Sequence, residues 1–143
     1  MSTDRNNFQD FNQQLIADLR TNSGRASSGP FGGRQLLILT TRGAKSGQRH
    51  ESPLAFTKTG QSYVVIGSKG GAPTHPAWYH NLVANPDVIV EVEGRKFDAK
   101  ARVASGGERD RLFKAHADRM PGFWDYQKNT SRVLPVIVLE PVA

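Results

Sequence analysis

The 143-residue chain carries 19 Lys and Arg against 13 Asp and Glu, a net charge of +6, and no cysteine. That length suits one domain with a real core, and the missing cysteines exclude disulfides, thiol nucleophiles and thiolate metal sites. The basic balance favours anionic partners, whether nucleotide-like cofactors, nucleic acid or an anionic membrane surface, without choosing among them.

Residues 1–6 read as a frayed tail. From Asn7, the apolar Phe8, Phe11, Leu15 and Leu19 recur at helical spacing and Ile16 widens the stripe. Gln9, Gln13, Asp18 and Arg20 take the other face, so an amphipathic helix is predicted. Packing on the core is its ordinary role; a lid over a site and a peripheral contact with the inner face of the cell membrane stay open as alternatives. Residues 23–33 are a polar, glycine-rich linker. The chain therefore divides into residues 1–33, helix plus linker, and residues 34–143, the main domain. No run is apolar and long enough to span a bilayer, the first residues show no signal peptide, and a cytoplasmic location is the default expectation.

A strand is predicted at residues 35–41, around the apolar Leu36 to Leu39. Next comes a loop with glycines at Gly43 and Gly47 and cations at Arg42, Lys45 and Arg49. Glycine allows tight turns and close approach of amides to a ligand, while lysine and arginine suit phosphate or carboxylate. The loop is a candidate grip for the anionic tail of a cofactor; a solvated basic hairpin is the plain alternative. A strand at residues 50–57 follows, with Pro53 marking an edge or a bulge, and a hairpin turn at Gly60-Gln61 leads to a strand at residues 62–67.

Ser68-Lys69-Gly70-Gly71 is a second glycine-bearing loop. Thr74 is placed to cap a short helix at residues 76–84, stopped by Asn85-Pro86. Residues 88–92 and 95–103 form a hairpin around Glu93-Gly94. In its second strand Phe97, Ala99, Ala101 and Val103 alternate with four solvated charges. A helix at 108–120, the aromatic cluster Phe123, Trp124 and Tyr126, and a strand at 133–139 complete the chain. Hairpins dominate, so the fold class is mainly β with flanking helices (α+β), its antiparallel sheet curling into a barrel.

Several chemistries are struck out. The glycine spacing fits neither the dinucleotide fingerprint nor a phosphate loop, and no Gly-x-Ser-x-Gly elbow occurs. His75 and His80 are five apart and off a common helical face, so no metal site is expected. The cations are scattered and lack an aromatic nucleic-acid signature, so nucleic-acid binding is not expected. What remains suits a planar, anionic cofactor: the basic loop, the Ser68 to Gly71 turn, and Trp78, Tyr79 and Asn81 on the short helix. A cofactor that carries the chemistry would explain the lack of a catalytic triad or carboxylate pair.

Three sets of residues carry a resemblance: Thr40-Thr41-x-Gly43-x-Lys45-Ser46-Gly47-x-Arg49-x-x-x-Pro53-Leu54; then Gly67-Ser68-x-Gly70-Gly71 with His75-Pro76-x-Trp78-Tyr79-x-Asn81-Leu82; and Asp125-Tyr126-Gln127 with Arg132-Val133-x-Pro135-Val136. In this order they resemble the deazaflavin-dependent nitroreductase family. The resemblance implies a split β-barrel of the FMN-binding type and reduced coenzyme F420 as hydride donor to an electron-poor small molecule. By position it implies that Ala44, Lys45 and Ser46 hold the cofactor's acidic tail, with Arg49 close by. His50, Pro53, Leu54 and Ala55 would run along its linker and ring; Ile66, Gly67, Ser68 and Lys69 would meet the ring edge; Ala77, Trp78, Tyr79 and Asn81 would finish the cradle. Ser68 and Tyr126 would orient or protonate substrate, and Phe123, Trp124 and Tyr126 would line its pocket.

One departure bears on substrate. Met120 and Phe123 stand where relatives carry tyrosines, so the pocket is expected to be more apolar. Quinones, enones and coumarin-like lactones become at least as plausible as nitro compounds. FMN on the same barrel and a non-catalytic F420 carrier are the alternatives, and the chain is expected to be a monomer or homodimer.

Overall fold

Alternation along the strands sets the architecture. The computed structural model describes residues 3–27 and 32–142, the side chains of residues 3–10 excluded, so the Phe8 side chain and the linker residues around Phe31 lie outside the description. Helix α1 (Thr3–Thr21) precedes strands β1 (Leu37–Arg42), β2 (Arg49–Leu54), β3 (Thr57–Thr59) and β4 (Ser62–Ile66). A single 3-10 turn (Lys69–Gly71) and α2 (Ala77–Ala84) lead to β5 (Asp87–Val92) and β6 (Arg95–Val103). Helices α3 (Gly106–Arg119) and α4 (Gly122–Lys128) then lead to β7 (Val136–Pro141). All seven strands pair antiparallel in the order β2-β1-β5-β6-β7-β4-β3.

Inward positions from five strands meet in one interior: Leu37 and Leu39, Tyr63 and Val65, Val88 to Val92 at alternate residues, Ala99 and Ala101, Ile137 and Leu139. Only a sheet curled on itself brings its second and sixth strands into one cluster. Helix α2 closes this interior with Trp78 and Leu82. The outward residues are covered too. Leu15, Ile16 and Leu19 of α1 pack on Leu36 and Ile38, and Leu112, Phe113 and Ala117 of α3 pack on Val64, Ile66, Val136 and Val138. Each fully buried leucine contributes roughly 1.5–3 kcal/mol.

Several sequence expectations shift. Helix α1 starts at Thr3, so part of the expected tail is helical. The single strand expected at 50–57 is two, β2 and β3, because the chain leaves one sheet edge at Leu54 and joins the other at Thr57. Pro53 does sit on an edge strand, where its missing N–H is tolerated. The aromatic cluster is itself helical, as α4. Thr74 does not cap α2; that helix begins after an extended Pro76, and the Thr74 hydroxyl accepts from Lys69 Nζ at 3.3 Å.

The helix-plus-linker segment is fastened by polar contacts as well. Asp18 accepts from the Ser27 amide at 2.8 Å and the Ser27 hydroxyl at 2.7 Å. Arg20 binds Glu91 through Nε at 3.0 Å and Nη2 at 2.7 Å, and also pairs with Glu51, tying α1 to β5 and β2. Hydrogen bonding from Arg20 holds the Glu91 carboxyl below its ordinary range. Three of the apolar residues predicted for the α1 stripe, Leu15, Ile16 and Leu19, are spent on the sheet, while Phe11 is 40% exposed. No helix among the described residues is long and apolar enough to cross a membrane.

His116 of α3 is fully buried, with Nδ1 3.0 Å from Thr57 Oγ1 and the ring perpendicular to Phe123 at 4.6 Å. Its Nε2 has no partner, and burial pushes its pKa down to about 4. The unfolded chain therefore takes up a proton that the fold refuses. Stability should be full above pH 6.5 and fall by up to roughly 3 kcal/mol as pH drops through 4. Urea denaturation across that window measures the loss, and ring NMR should show His116 neutral until pH nears 4. A normally titrating His116 would contradict this.

Candidate active site

The turn between β1 and β2 is closed on itself. Gly43 N–H donates to Gln48 O at 2.7 Å, Gly47 N–H to Gly43 O at 3.0 Å, and Gln48 N–H to Ser46 Oγ at 3.2 Å. Gly47 has a φ of 71°, the left-handed region that glycine tolerates. Asn81 of α2 pins the turn from below: its Oδ1 accepts from the Ala44 amide at 3.1 Å and its Nδ2 donates to Thr41 Oγ1 at 3.3 Å. Among the described residues Arg42, Lys45 and Arg49 form no ion pair, and the Lys45 and Ser46 amides donate to no group in the chain. The turn thus presents unspent positive charge and two free N–H groups, as an anion site requires.

It forms one end of a groove of about 1150 Å³. Ala44, Lys45, Ser46, Arg49 and His50 line that end, and Ala77, Trp78 and Asn81 line the flank along α2. Asn12, Gln13 and Ile16 of α1 form another wall. Thr40, Ser52 and Ile89 on the outer face of the sheet also contribute. Sequence reasoning assigned no site role to Thr40, Ser52 or Ile89, and reached α1 only as a possible lid; the alternation of Thr40 with the inward Leu37 and Leu39 was the available signal.

The family-model match covers residues 13–141 and is to the F420H2-dependent quinone reductases. The chain belongs to that family. An F420H2-dependent quinone reductase of Mycobacterium tuberculosis is 37% identical over 123 residues, 84% of this chain and 83% of the relative. The solved structure of an F420-H2 dependent reductase, FDR-A, superposes with a TM-score of 0.69 at 38% identity, covering 73% of this chain and 93% of that one. A structure from Listeria innocua described as a pyridoxamine 5'-phosphate oxidase shares the fold, with a TM-score of 0.56 at 13% identity over 92% of this chain and 93% of that one. The fold is the split β-barrel expected from sequence, the protein is an oxidoreductase, and coenzyme F420 is its cofactor.

In this quinone reductase the other sequence-predicted residues lie off the groove. Leu54 packs on the barrel interior, Ala55 packs under α1, and Pro53 sits opposite Ile38. Ile66 turns its side chain into the core beneath α3, so a contact with a ring edge falls to the backbone of this turn. Tyr79 stacks on His75 at 4.6 Å. Trp124 packs on Phe113 at 5.2 Å and donates to Asp118 at 3.3 Å, which holds it against α3. Phe123 and Tyr126 pack on each other at 5.3 Å.

The Gly67–Ala72 segment is organised by a residue whose role could not be read from its neighbours in the chain. Arg132 donates from Nε to Ala72 O at 2.8 Å, from Nη1 to Gly67 O at 3.0 Å, and from Nη2 to Ser68 O at 2.7 Å. Nη1 also lies 2.8 Å from His75 Nδ1, which must be unprotonated to accept. Burial first, then the charges of Arg132 and His80, keep His75 below the usual imidazole range and so neutral. Gln127 supports the Arg132 backbone by donating to its carbonyl at 2.8 Å. On the far side, Gly71 (φ 83°) meets α4 so closely that a Cβ would sit 2.9 Å from Tyr126 O. Ser68 and Lys69 are thus held between Arg132 and α4.

Arg132→Ala should strip three carbonyls of a charged donor and cost roughly 3 kcal/mol in denaturant unfolding. Hydrogen exchange should accelerate at the 67–72 amides before it does in the barrel strands. Unchanged protection there would mean the guanidinium does not hold the turn.

Proposed function

We propose that this quinone reductase seats coenzyme F420 with its acidic tail on the β1–β2 turn and its ring system directed along β2 and α2. The observation that supports this reading most strongly is the turn itself, whose unpaired Lys45 and Arg49 and two free amides stand at one end of a groove large enough for a cofactor. Lys45 and Arg49 neutralise carboxylate or phosphate, and the Lys45 and Ser46 amides donate to it. Ala44, His50 and Ala77 shape the path, and Trp78 offers an aromatic surface. Asn81 acts by holding the turn, since both ends of its amide are already engaged.

Pro53, Leu54 and Ala55 on one side, and Ile66, Gly67, Ser68 and Lys69 on the other, would flank the ring. The acceptor then lies between the ring and α4, where Ser68 and Tyr126 orient it and Phe123 keeps its surroundings apolar. The reduced coenzyme supplies a hydride, and a quinone that takes this hydride and one proton becomes the hydroquinone. A quinone is the best-fitting acceptor because Phe123 and Met120 give no hydroxyl to a nitro group.

Turnover of menadione with reduced F420, followed by the return of deazaflavin absorbance, tests the reaction. Lys45→Ala with Arg49→Ala should raise the F420 Kd at least about tenfold, each charge-assisted contact being worth roughly 1.5–3 kcal/mol. Tight binding without turnover of any quinone would reduce the protein to a carrier, and unchanged affinity in the double variant would refute the placement of the tail.

A further inference from the structure

The two mouths of the barrel differ. One is filled by Trp78 and Leu82 of α2, beside the β1–β2 turn. The other opens into a separate cavity of about 880 Å³ at the β3–β4 and β5–β6 turns. Strand register fixes these as opposite ends. Arg42 pairs with Arg49 at the first, whereas Val92 pairs with Arg95 and Thr59 with Ser62 at the second.

Four of the residues around this open mouth are inward-facing by alternation. Lys58 is the cross-strand partner of the inward Tyr63, Arg95 and Phe97 continue the face of Ala99, and Pro141 continues that of Leu139. The floor is aromatic: the Tyr63 ring, 4% exposed, has Phe56 at 5.6 Å and Phe97 at 5.8 Å. The wall is cationic. The Arg95 guanidinium lies 5.8 Å from the Phe97 ring centre, and Lys58 Nζ lies 5.8 Å from that of Tyr63. Glu93 pairs with Lys58 at 2.7 Å. Among the described residues, no carboxylate pairs with Arg95 or with Lys96, which stands on the ridge between this cavity and the cofactor groove.

Arg95 Nη2 donates to the Tyr63 hydroxyl at 2.6 Å. The phenol oxygen is therefore an acceptor, and its own proton is left to donate. An open barrel mouth with an aromatic floor, an unpaired guanidinium and a free phenolic O–H is matched by one ligand chemistry. We propose that this mouth is a second binding site, for a small aromatic carboxylate whose ring lies against Phe97, above the buried Tyr63, and whose carboxylate is held by Arg95 and the Tyr63 hydroxyl. A neutral aromatic would leave the guanidinium without a counter-charge.

The probe is 2-naphthoate, titrated into the isotope-labelled full chain and followed by NMR, with no F420 present. Saturable shifts are expected at the amides of residues 58–63 and 95–97. 2-Naphthamide, the same shape without the charge, should bind about tenfold more weakly. Tyr63→Phe keeps the ring and removes only the hydroxyl; it and Arg95→Gln should each weaken naphthoate about fivefold or more. Shifts that do not saturate, shifts centred on residues 43–50, or equal affinity for acid and amide would overturn the proposal. Should Arg95→Gln fail to fold, the Tyr63→Phe variant and the acid–amide comparison decide it.

Discussion

The docking of α2 is the constraint on which the rest depends. Its eight residues serve two environments at once. Trp78 and Leu82 enter the barrel interior, where Leu82 is 1% exposed and touches residues from several strands. On the adjacent face, Asn81 satisfies the Ala44 amide and the Thr41 hydroxyl, and Asn85, just past the last helical residue, donates to the Arg42 carbonyl at 3.4 Å. The hydrophobic core and the shape of the basic turn are therefore set by one short helix. A turn with several like charges would otherwise spread in water; here it is held by an uncharged amide, which leaves the cations free for an anion.

The same economy is visible across the sheet. β1 is buried on both faces, with Leu37 and Leu39 turned inward and Leu36 and Ile38 covered by α1, so it reads in sequence as a continuous apolar run. β6 is buried on one face and reads as alternation. Where polar groups enter the core they come with partners: Thr57 with His116, and the buried carbonyls of the 67–72 turn with Arg132. One exception is His116 Nε2, left unpaired against an aromatic ring, and it makes the α3–β3 contact the acid-sensitive seam of the fold.

The barrel and the basic β1–β2 turn were legible in the sequence because both are local. Hairpin turns, strand alternation and the glycine–cation run lie within a few residues of one another. The parts that escaped depend on distant neighbours. Nothing near residues 50–57 signals that the chain crosses between sheet edges there, since both halves look extended. The three carbonyls that Arg132 collects lie 60 to 65 residues upstream, beyond the reach of any spacing rule. Nor does the place of Trp124 between Phe123 and Tyr126 show where its side chain goes; on a helix, adjacent residues point in different directions, and Trp124 turns to Phe113.

The contact between Gly71 and the Tyr126 carbonyl ties the main chain of α4 to the main chain of the 3-10 turn, with no side chain between them. Such a joint is indifferent to which side chains α4 carries, provided that its backbone stays put. If the acceptor lies against α4 as proposed, the identity of the molecule reduced can drift through substitutions such as tyrosine to phenylalanine at position 123. The 3-10 turn keeps its shape throughout. Main-chain contact of this kind lets one scaffold diversify in what it reduces while conserving what it reduces with.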